Sequence, residues 1–337
     1  MKKQLVMGII GAGRIGRVHV ESICTKIPGA RVKTLADPFM NEETSQWAAS
    51  MGVGSTTKDY KEILSDSEID AVLICSPTDT HAPIIREAAL AGKHIFCEKP
   101  IDLDIARIKK TLEIVEKAGV KFQIGFNRRF DHNFRAIRNA VEAGKVGEPQ
   151  IISVKSRDPE PPSAEYAAAS GGIFVDMTIH DFDMVRYLSG SEVEEVYVQG
   201  AVLVDPAIGE AGDIDTCIIS LKFASGAIGV IDNSRKAAYG YDQRAEVFGS
   251  KGSVATANDN PSTAVLSTAE GISSEKPYFF FLERYMESFT QEMREFIAAV
   301  QDDTETPLGG IDALRPVQIA MAAGESLKTG KPVKVQY

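Results

Sequence analysis

The sequence has no run of about 20 apolar residues, which is the length that a membrane-crossing helix needs. It also has no basic excess, since the chain carries 37 Lys and Arg against 47 Asp and Glu. Residues 1–125 hold 17 basic and 16 acidic residues, and residues 126–337 hold 20 and 31. Because neither part offers a basic surface, nucleic acid is not an expected partner, and neither is a membrane.

Cysteine is scarce: the four examples are Cys24, Cys75, Cys97 and Cys217, and no CxxC pair occurs. Most lie in apolar, strand-like runs, so the sequence predicts reduced and buried thiols in a cytoplasmic protein. Only five histidines occur, and His180 has no second His or Cys at ligand spacing, so no metal site is expected. The opening letters MKKQLVMGIIGAG contain a short apolar run, interpreted as a first strand rather than a leader.

The residues that are present are those of a globular protein, with 44% hydrophobic and 25% charged side chains. A length of 337 residues predicts about two domains. In residues 1–125, short apolar strands alternate with helices, which is typical of a parallel sheet covered on both faces. Beyond a boundary near Gly125, residues 126–337 contain longer alternating strands that indicate a mainly antiparallel sheet, followed by two amphipathic helices.

A glycine-rich turn follows the first strand. Gly11, Gly13 and Gly16, with Arg14 and Ile15 between the last two, fit the pattern GxGxxG at the start of a helix. Gly11 allows the tight turn, Gly13 lets the backbone approach a pyrophosphate, and Gly16 allows close packing of helix on strand. The pattern therefore predicts a dinucleotide site, the alternative being a strand–helix turn without a ligand.

Asp37 ends the second predicted strand, 21 residues after Gly16. An acidic side chain there accepts hydrogen bonds from the adenosine ribose and repels a 2′-phosphate. The next residues, Pro38, Phe39 and Met40, supply no Arg or Lys that could bind such a phosphate. The sequence therefore favours NAD over NADP, and the alternative is that Asp37 only forms a turn with Pro38.

Two further segments lie where predicted strands end, at the edge where parallel sheets bind ligands. Lys99 follows the fourth strand, and its position favours a functional role over that of a surface lysine. His81 is placed at the start of a helix, where a packing or capping role is as plausible as a cofactor contact. The predicted cofactor residues at this edge are Ser76, Pro77, Thr78, His81, Glu98 and Lys99.

Residues 171–183, GGIFVDMTIHDFD, combine acidic and imidazole groups. If they begin one helix, Asp176 and His180 are four residues apart and share a face. A carboxylate beside an imidazole orients the ring and raises its basicity, which suits a general base for an alcohol proton. The alternative is an Asp–His pair with a purely structural role.

Two polar segments, residues 125–131 and residues 234–244, could contact a polyhydroxylated ligand, although surface loops have similar composition. The Pro-, Gly- and Ala-rich residues 157–172 are expected to form a long loop, and long loops in compact domains are often functional.

Taken together, GAGRIG, Asp37, SPTDTH, EKP, GFNRRFD and GGIFVDMTIHDFD resemble the family of glucose–fructose oxidoreductases and inositol dehydrogenases. AYGYDQRAEVFGSKG at residues 238–252 is most similar to its inositol dehydrogenase branch. The resemblance spans essentially the whole chain. It implies an α/β fold with an N-terminal doubly wound Rossmann domain and a C-terminal α+β domain on an open, mainly antiparallel sheet. That sheet commonly forms homodimer and tetramer contacts, so a homo-oligomer, and a tetramer in particular, is expected.

The resemblance also implies a reaction, namely NAD-dependent oxidation of myo-inositol to 2-keto-myo-inositol. The implied catalytic residues are Lys99, Asp176 and His180. The implied substrate contacts are Asn127, Arg129, Asp158, Asp176, His180 and Tyr239, with Tyr241 as a further candidate. Three alternatives remain: oxidation of scyllo-inositol or another polyol or aldose, glycoside cleavage through transient oxidation, and a non-catalytic NAD-binding sensor.

Overall fold

The computed structural model describes residues 3–337, which form two compact units. The first unit runs to Phe130 and also includes Glu287–Leu314. The second comprises Asp131–Met286 and Arg315–Tyr337. The sequence-based division at Gly125 assigned everything after that residue to the second domain. In the structure, residues 287–314 belong to the first unit instead.

The first unit is built on a six-stranded sheet with the order β3-β2-β1-β4-β5-β6. Every strand pair in it is parallel, which confirms the predicted doubly wound sheet. Its strands are β1 Leu5–Ile10, β2 Ala30–Ala36, β3 Ser55–Thr57, β4 Ala71–Ile74, β5 His94–Glu98 and β6 Phe122–Gly125.

The helices between these strands are α1 Arg14–Lys26, α2 Glu42–Ser50, α3 Lys61–Ser65, α4 Thr78–Leu90 and α5 Ile105–Ala118, and a 3-10 turn spans Asn127–Phe130. The strands are continuous apolar runs because helices cover both faces of the sheet, and every residue of β1 and β4 is buried. Met293, Phe296 and Ile297 complete the core beside Ile9 and Leu35. Burial of these side chains explains why residues 287–314 belong to this unit.

The second unit is built on a seven-stranded sheet with the order β12-β11-β7-β10-β9-β8-β15. The strands of the unit are β7 Pro149–Arg157, β8 Val193–Ala201, β9 Thr216–Phe223, β10 Ile228–Ser234, β11 Asp242–Gly249, β12 Gly252–Ala255, β13 Val265–Thr268, β14 Gly271–Ser274 and β15 Val333–Lys334. Strands β7 and β10 are parallel and the other pairs are antiparallel, so the sheet is mixed and mainly antiparallel as expected. β13 and β14 form a separate hairpin.

The remaining helices are α6 His132–Glu142, α7 Ala164–Ala169, α8 Ile173–Asp176, α9 Ile179–Ser189, α10 Pro206–Glu210, α11 Phe281–Asp302 and α12 Gly310–Thr329. Helix α9 packs on β7, and burial alternates strictly along β9 after its first residue. One face of this sheet is therefore covered by α9 and the other is open. The segment 157–172, expected to be a loop, contains α7. No helix within residues 3–337 is long and apolar enough to cross a membrane.

Candidate active site

The glycine-rich turn lies between β1 and α1, as the sequence predicts. Gly11 has a φ of +105°, and a Cβ there would lie 2.6 Å from the carbonyl carbon of Cys75. A Cβ on Gly16 would lie 2.0 Å from the carbonyl oxygen of Gly11, so only glycine allows α1 to start this close to β1. A Cβ on Gly13, in contrast, would meet no atom of residues 3–337 within 4 Å.

The open space above Gly13 fits a bound pyrophosphate. Gly13 is the N-cap of α1 and provides no side-chain cap, and the first turn contains no acidic residue. The first N–H groups of a helix have no partner within the helix, and the helix dipole there favours a negative ligand. Arg14 is exposed and Ile15 is half-buried beside them.

Asp37 lies directly after β2 and is half-buried. One of its carboxylate oxygens accepts a hydrogen bond of 2.7 Å from the backbone N–H of Ala12. The other accepts one of 2.8 Å from the N–H of Phe39. The carboxylate thus joins β2 to the glycine-rich turn. Each oxygen retains a lone pair, which leaves Asp37 able to accept bonds from ribose hydroxyls.

His81 connects the chain segments that follow β4 and β5. It lies inside α4, which begins at Thr78, and not at the start of that helix as predicted. Its ring is buried, with one nitrogen 2.7 Å from the carbonyl oxygen of Ser76 and the other 2.7 Å from that of Pro100. Lys99 is half-buried and precedes Pro100 through a cis peptide bond. The imidazole therefore braces the segment that carries Lys99.

Two of the predicted substrate contacts belong to the first unit, in the 3-10 turn after β6. Asn127 is buried, and its amide donates to Ser288 Oγ at 3.1 Å. Arg129 forms an ion pair with Asp312, with 2.8 Å between Nη2 and Oδ1. Both side chains thus have partners within the protein, and their contact with substrate stays a prediction.

Asp176 and His180 lie in the second unit, but the expectation of one continuous helix is wrong. Helix α8 ends at Asp176, and α9 begins at Ile179. The break falls at Thr178, whose hydroxyl donates to Asn233 Oδ1 at 2.7 Å. Asn233 is buried on β10, and its amide also donates to Asp181 Oδ2 at 2.8 Å. These bonds hold the start of α9 against the sheet, so Asp176 ends one helix and His180 lies in the first turn of the next.

The carboxylate of Asp176 is held from two sides. Tyr166 Oη donates to Oδ1 at 2.9 Å, and Arg235 Nη1 donates to Oδ2 at 3.0 Å. The Arg235 side chain is only 2% exposed and lies 3.7 Å from Asp213, which in turn accepts the backbone N–H of Ile173 at 3.1 Å. The phenol and the buried guanidinium that donate to Asp176 fix the orientation of its carboxyl group.

The predicted contacts Asp158 and Tyr239 lie near the ends of β7 and β11. The backbone of Asp158 pairs with Ser234 and Ala237. Tyr239 is 40% exposed and donates to Asp242. Burial, followed by that hydrogen bond, raises the pKa of Tyr239, so the phenol stays protonated at neutral pH. Tyr241, in contrast, is buried edge-on against Tyr285.

Sequence reasoning did not identify Arg235, Tyr166 or Asp213. Arg235 lies in the polar segment 234–244 and Tyr166 in the segment 157–172, both noted for their composition. Nothing in the sequence indicated which side chain in either would reach Asp176. Nothing in the sequence indicated Asp213 as a site residue, because its contacts with Ile173 and Arg235 depend on how the chain folds at the start of α8.

The first unit thus carries a dinucleotide turn, an acidic residue beside it and Lys99, and the second carries an oriented Asp176 near His180. A model described as an oxidoreductase family with an NAD-binding Rossmann fold matches residues 5–126. A model of the GFO/IDH/MocA C-terminal domain matches residues 134–255. The chain belongs to the Gfo/Idh/MocA family of oxidoreductases. Its cofactor is NAD, and the family assignment confirms the predicted resemblance.

Individual members of the family align over the whole chain. An uncharacterized oxidoreductase of Bacillus subtilis is 51% identical, covering 100% of this chain and 98% of the relative. Myo-inositol 2-dehydrogenase of Thermotoga maritima is 45% identical and covers 98% of both chains. The crystal structure of scyllo-inositol dehydrogenase from Lactobacillus casei, with bound NAD(H) and scyllo-inositol, superposes with a TM-score of 0.90 at 31% identity and covers 99% of both chains.

Proposed function

We propose that this chain oxidises myo-inositol to 2-keto-myo-inositol with NAD. The observation that carries the proposal is its full-length similarity to the Thermotoga maritima myo-inositol 2-dehydrogenase. The site supports it, because a dinucleotide turn, a lysine at the ligand edge and an oriented Asp–His segment suit removal of a proton and a hydride from an alcohol.

His180 is the proposed general base, which takes the proton of the reacting hydroxyl. Asp176 is proposed to stabilise the imidazolium that forms, since Tyr166 and Arg235 hold its carboxyl group in one orientation. A well-placed acid–base group contributes about 10²–10⁴-fold in rate. Bound NAD supplies the acceptor for the hydride that leaves the ring carbon.

Lys99 is proposed to hold the reacting oxygen and to stabilise the negative charge that develops on it. Its placement is supported by His81, which braces Pro100 directly after it. Lys99 belongs to the first unit and His180 to the second.

The remaining hydroxyls of the ring would be bound by Asn127, Arg129, Asp158 and Tyr239. Amide, guanidinium, carboxylate and phenol groups can pair with the many donors and acceptors of a cyclitol. Tyr239 suits this role best, because its ring is partly exposed while Asp242 and Arg157 orient its hydroxyl.

The proposal includes a homo-oligomer, with a tetramer favoured, in the cytoplasm. Ile151, Ile228 and Phe248 are cross-strand neighbours on β7, β10 and β11, and all are 41–53% exposed. A second copy of the chain would cover this apolar patch on the open sheet face. The four thiols are free, and Cys97 and Cys217 are buried, which fits a reducing compartment.

The test is NADH formation by the purified chain with myo-inositol, scyllo-inositol, D-chiro-inositol, glucose and xylose, each with NAD and with NADP. We expect the highest kcat/KM for myo-inositol with NAD. Faster turnover of scyllo-inositol or an aldose would assign the chain a different substrate, while the NAD-dependent oxidation of an alcohol would stand. NAD binding without oxidation of any of them would overturn the proposal in favour of a sensor or of transient oxidation.

A further inference from the structure

Three titratable side chains meet inside the first unit, and only one of them, Glu98, is among the predicted cofactor residues. His19 on α1 and Glu292 on α11 are fully buried, and Glu98 at the end of β5 is 15% exposed. His19 Nε2 lies 2.8 Å from Glu98 Oε1. The ligand atoms of all three lie within 4.8 Å of one another.

Glu292 has no hydrogen-bond partner for either carboxyl oxygen among the described residues. A buried, unpartnered carboxylate costs several kcal/mol, so such a group takes up a proton instead. Burial, with the neighbouring Glu98 charge as the second cause, raises the pKa of Glu292 well above its usual range. The titratable groups that face Glu292 are Glu98 on β5, His19 on α1 and the Cys75 thiol after β4.

Glu98 is the residue through which this cluster reaches the cofactor edge of the sheet. One of its oxygens contacts His19, and the other would lie 3.1 Å from a Cβ added to Gly125 at the end of β6. Its side chain thus lies between the His19 ring and the backbone of Gly125. Lys99 follows it directly in the chain, so the backbone that carries Glu98 also positions Lys99.

We propose that Glu292 is a positioning residue for Lys99: as a neutral acid it leaves Glu98 as the single negative charge of the cluster, held on His19. The proposal rests on the proposed role of Lys99. A second negative charge on Glu292, within 4.8 Å of Glu98, would repel it from its site and displace the start of the Glu98–Pro100 segment.

A cation bound by the three residues would be another way to neutralise them, but the surroundings of His19 argue against it. A histidine that binds a metal usually donates its other ring nitrogen to an acceptor. Here Nδ1 has no partner among the described residues. The ring lies edge-on to Phe96 and Phe289, with centroids 5.5 and 5.7 Å away, so the environment is apolar.

The test compares the wild-type chain with Glu292→Gln and Glu292→Ala, and with Glu287→Gln as an exposed control on the same helix. Three properties are measured: the thermal unfolding midpoint from pH 5 to 8.5, the Kd for NADH, and kcat and KM for myo-inositol. Because the folded-state pKa of Glu292 is raised, its stabilising contribution is complete below the unfolded-state value and is lost as pH rises.

We expect Glu292→Gln to keep kcat and the NADH Kd within about threefold of the wild type, because glutamine is a neutral isostere. Its unfolding midpoint should exceed that of the wild type by about 3 °C at pH 8, and the difference should shrink towards pH 5. Glu292→Ala is also uncharged but leaves a cavity into which Glu98 can move, so that Lys99 is misplaced. Its kcat should fall about ten- to a hundredfold with KM for inositol unchanged, and it should bind NADH less tightly than Glu292→Gln does. Glu287→Gln should match the wild type throughout.

The proposal is overturned if Glu292→Gln is less stable than the wild type at every pH and as slow as Glu292→Ala. That result, or a fall in the wild-type midpoint on addition of EDTA, would mean that an ionised Glu292 binds a cation. If the wild type oxidises no inositol, the proposed function fails by itself. The pH dependence of stability and the NADH Kd then still decide the role of Glu292: an Ala variant that binds NADH as tightly as Gln would overturn it.

Discussion

At the scale of single residues, the proposed chemistry depends most directly on His180. Replacing it with alanine removes the base that takes the alcohol proton, so we expect kcat to fall about 10²–10⁴-fold. NADH should bind with unchanged Kd, because His180 lies in the second unit and the dinucleotide turn in the first. Steady-state kinetics and fluorescence titration measure the two effects.

The matched control is His132→Ala, since His132 is an exposed histidine of the same unit. It should retain full turnover. Turnover of His180→Ala equal to that of the control would remove His180 from the mechanism.

Asp37 is the residue that we expect to determine the preference for NAD over NADP. Asp37→Ser removes the charge that repels a 2′-phosphate, so the ratio of kcat/KM for NAD to that for NADP should fall about tenfold or more. Because Asp37 also accepts the N–H of Ala12, kcat/KM with NAD should fall as well. Asp37→Asn keeps the size and one oxygen and should shift the ratio less. An unchanged ratio in both variants would exclude Asp37 as the ribose contact.

At the scale of elements, we expect different glycines of the turn between β1 and α1 to serve folding and cofactor binding. A Cβ at position 13 meets open space, whereas one at position 16 would lie 2.0 Å from a carbonyl oxygen. We therefore expect Gly13→Ala to keep its unfolding midpoint while the Kd for NADH rises more than about tenfold, because the methyl group occupies the pyrophosphate space.

Gly16→Ala should instead lower the unfolding midpoint by about 5 °C or more, because α1 must move away from β1. Differential scanning fluorimetry with and without NADH distinguishes the two variants. Equal NADH affinity of Gly13→Ala and wild type would show that the pyrophosphate does not approach this glycine.

An element can be predicted from the sequence when the local pattern of apolar and turn residues is enough to define it. The strands β1, β4 and β5 are apolar runs followed by turn residues, so local pattern was sufficient to place them. β3, with the sequence STT, is three residues long and half exposed, and nothing local distinguishes it from a loop. The periodicity of α11 predicted a helix but could not indicate which core its apolar face would join.

The candidate site likewise contains residues that the local pattern places and contacts that depend on residues far apart in the sequence. The glycine turn, Asp37 and Lys99 could be predicted because each is defined by its position after a strand. The support of Asp176 by Arg235, 59 residues later, could not, because it depends on pairing of strands across the sheet. The contact of His19 with Glu98 likewise joins residues 79 apart in sequence.

At the scale of the whole molecule, acid stability depends on buried carboxylates with lowered pKa values, and Asp242 is the clearest case. Burial would raise its pKa, but hydrogen bonds from Arg244, Tyr239 and Asn258 outweigh burial and lower it to about 2. A lowered folded-state pKa contributes stability above the unfolded value of about 3.9, and that stability is lost as pH falls towards 2.

Asp242→Asn should therefore lower the unfolding midpoint by about 2–5 °C at pH 7, and the difference should disappear near pH 2. Glu246→Gln is the control, since Glu246 is exposed on the same strand. A difference between Asp242→Asn and wild type that is constant from pH 7 to 2 would contradict the assignment. Thermal unfolding followed by circular dichroism measures it.

The return of residues 287–314 to the first unit has a consequence for the order in which a ribosome makes this protein. The six parallel strands have all been synthesised by Gly125, yet Met293, Phe296 and Ile297 of their core follow only after the whole second sheet except β15. At a translation rate of about 5–20 residues per second, the nascent first unit waits on the order of ten seconds or more for them. During that interval its unfilled apolar surface is exposed, so it is the part of the nascent chain that a chaperone would bind.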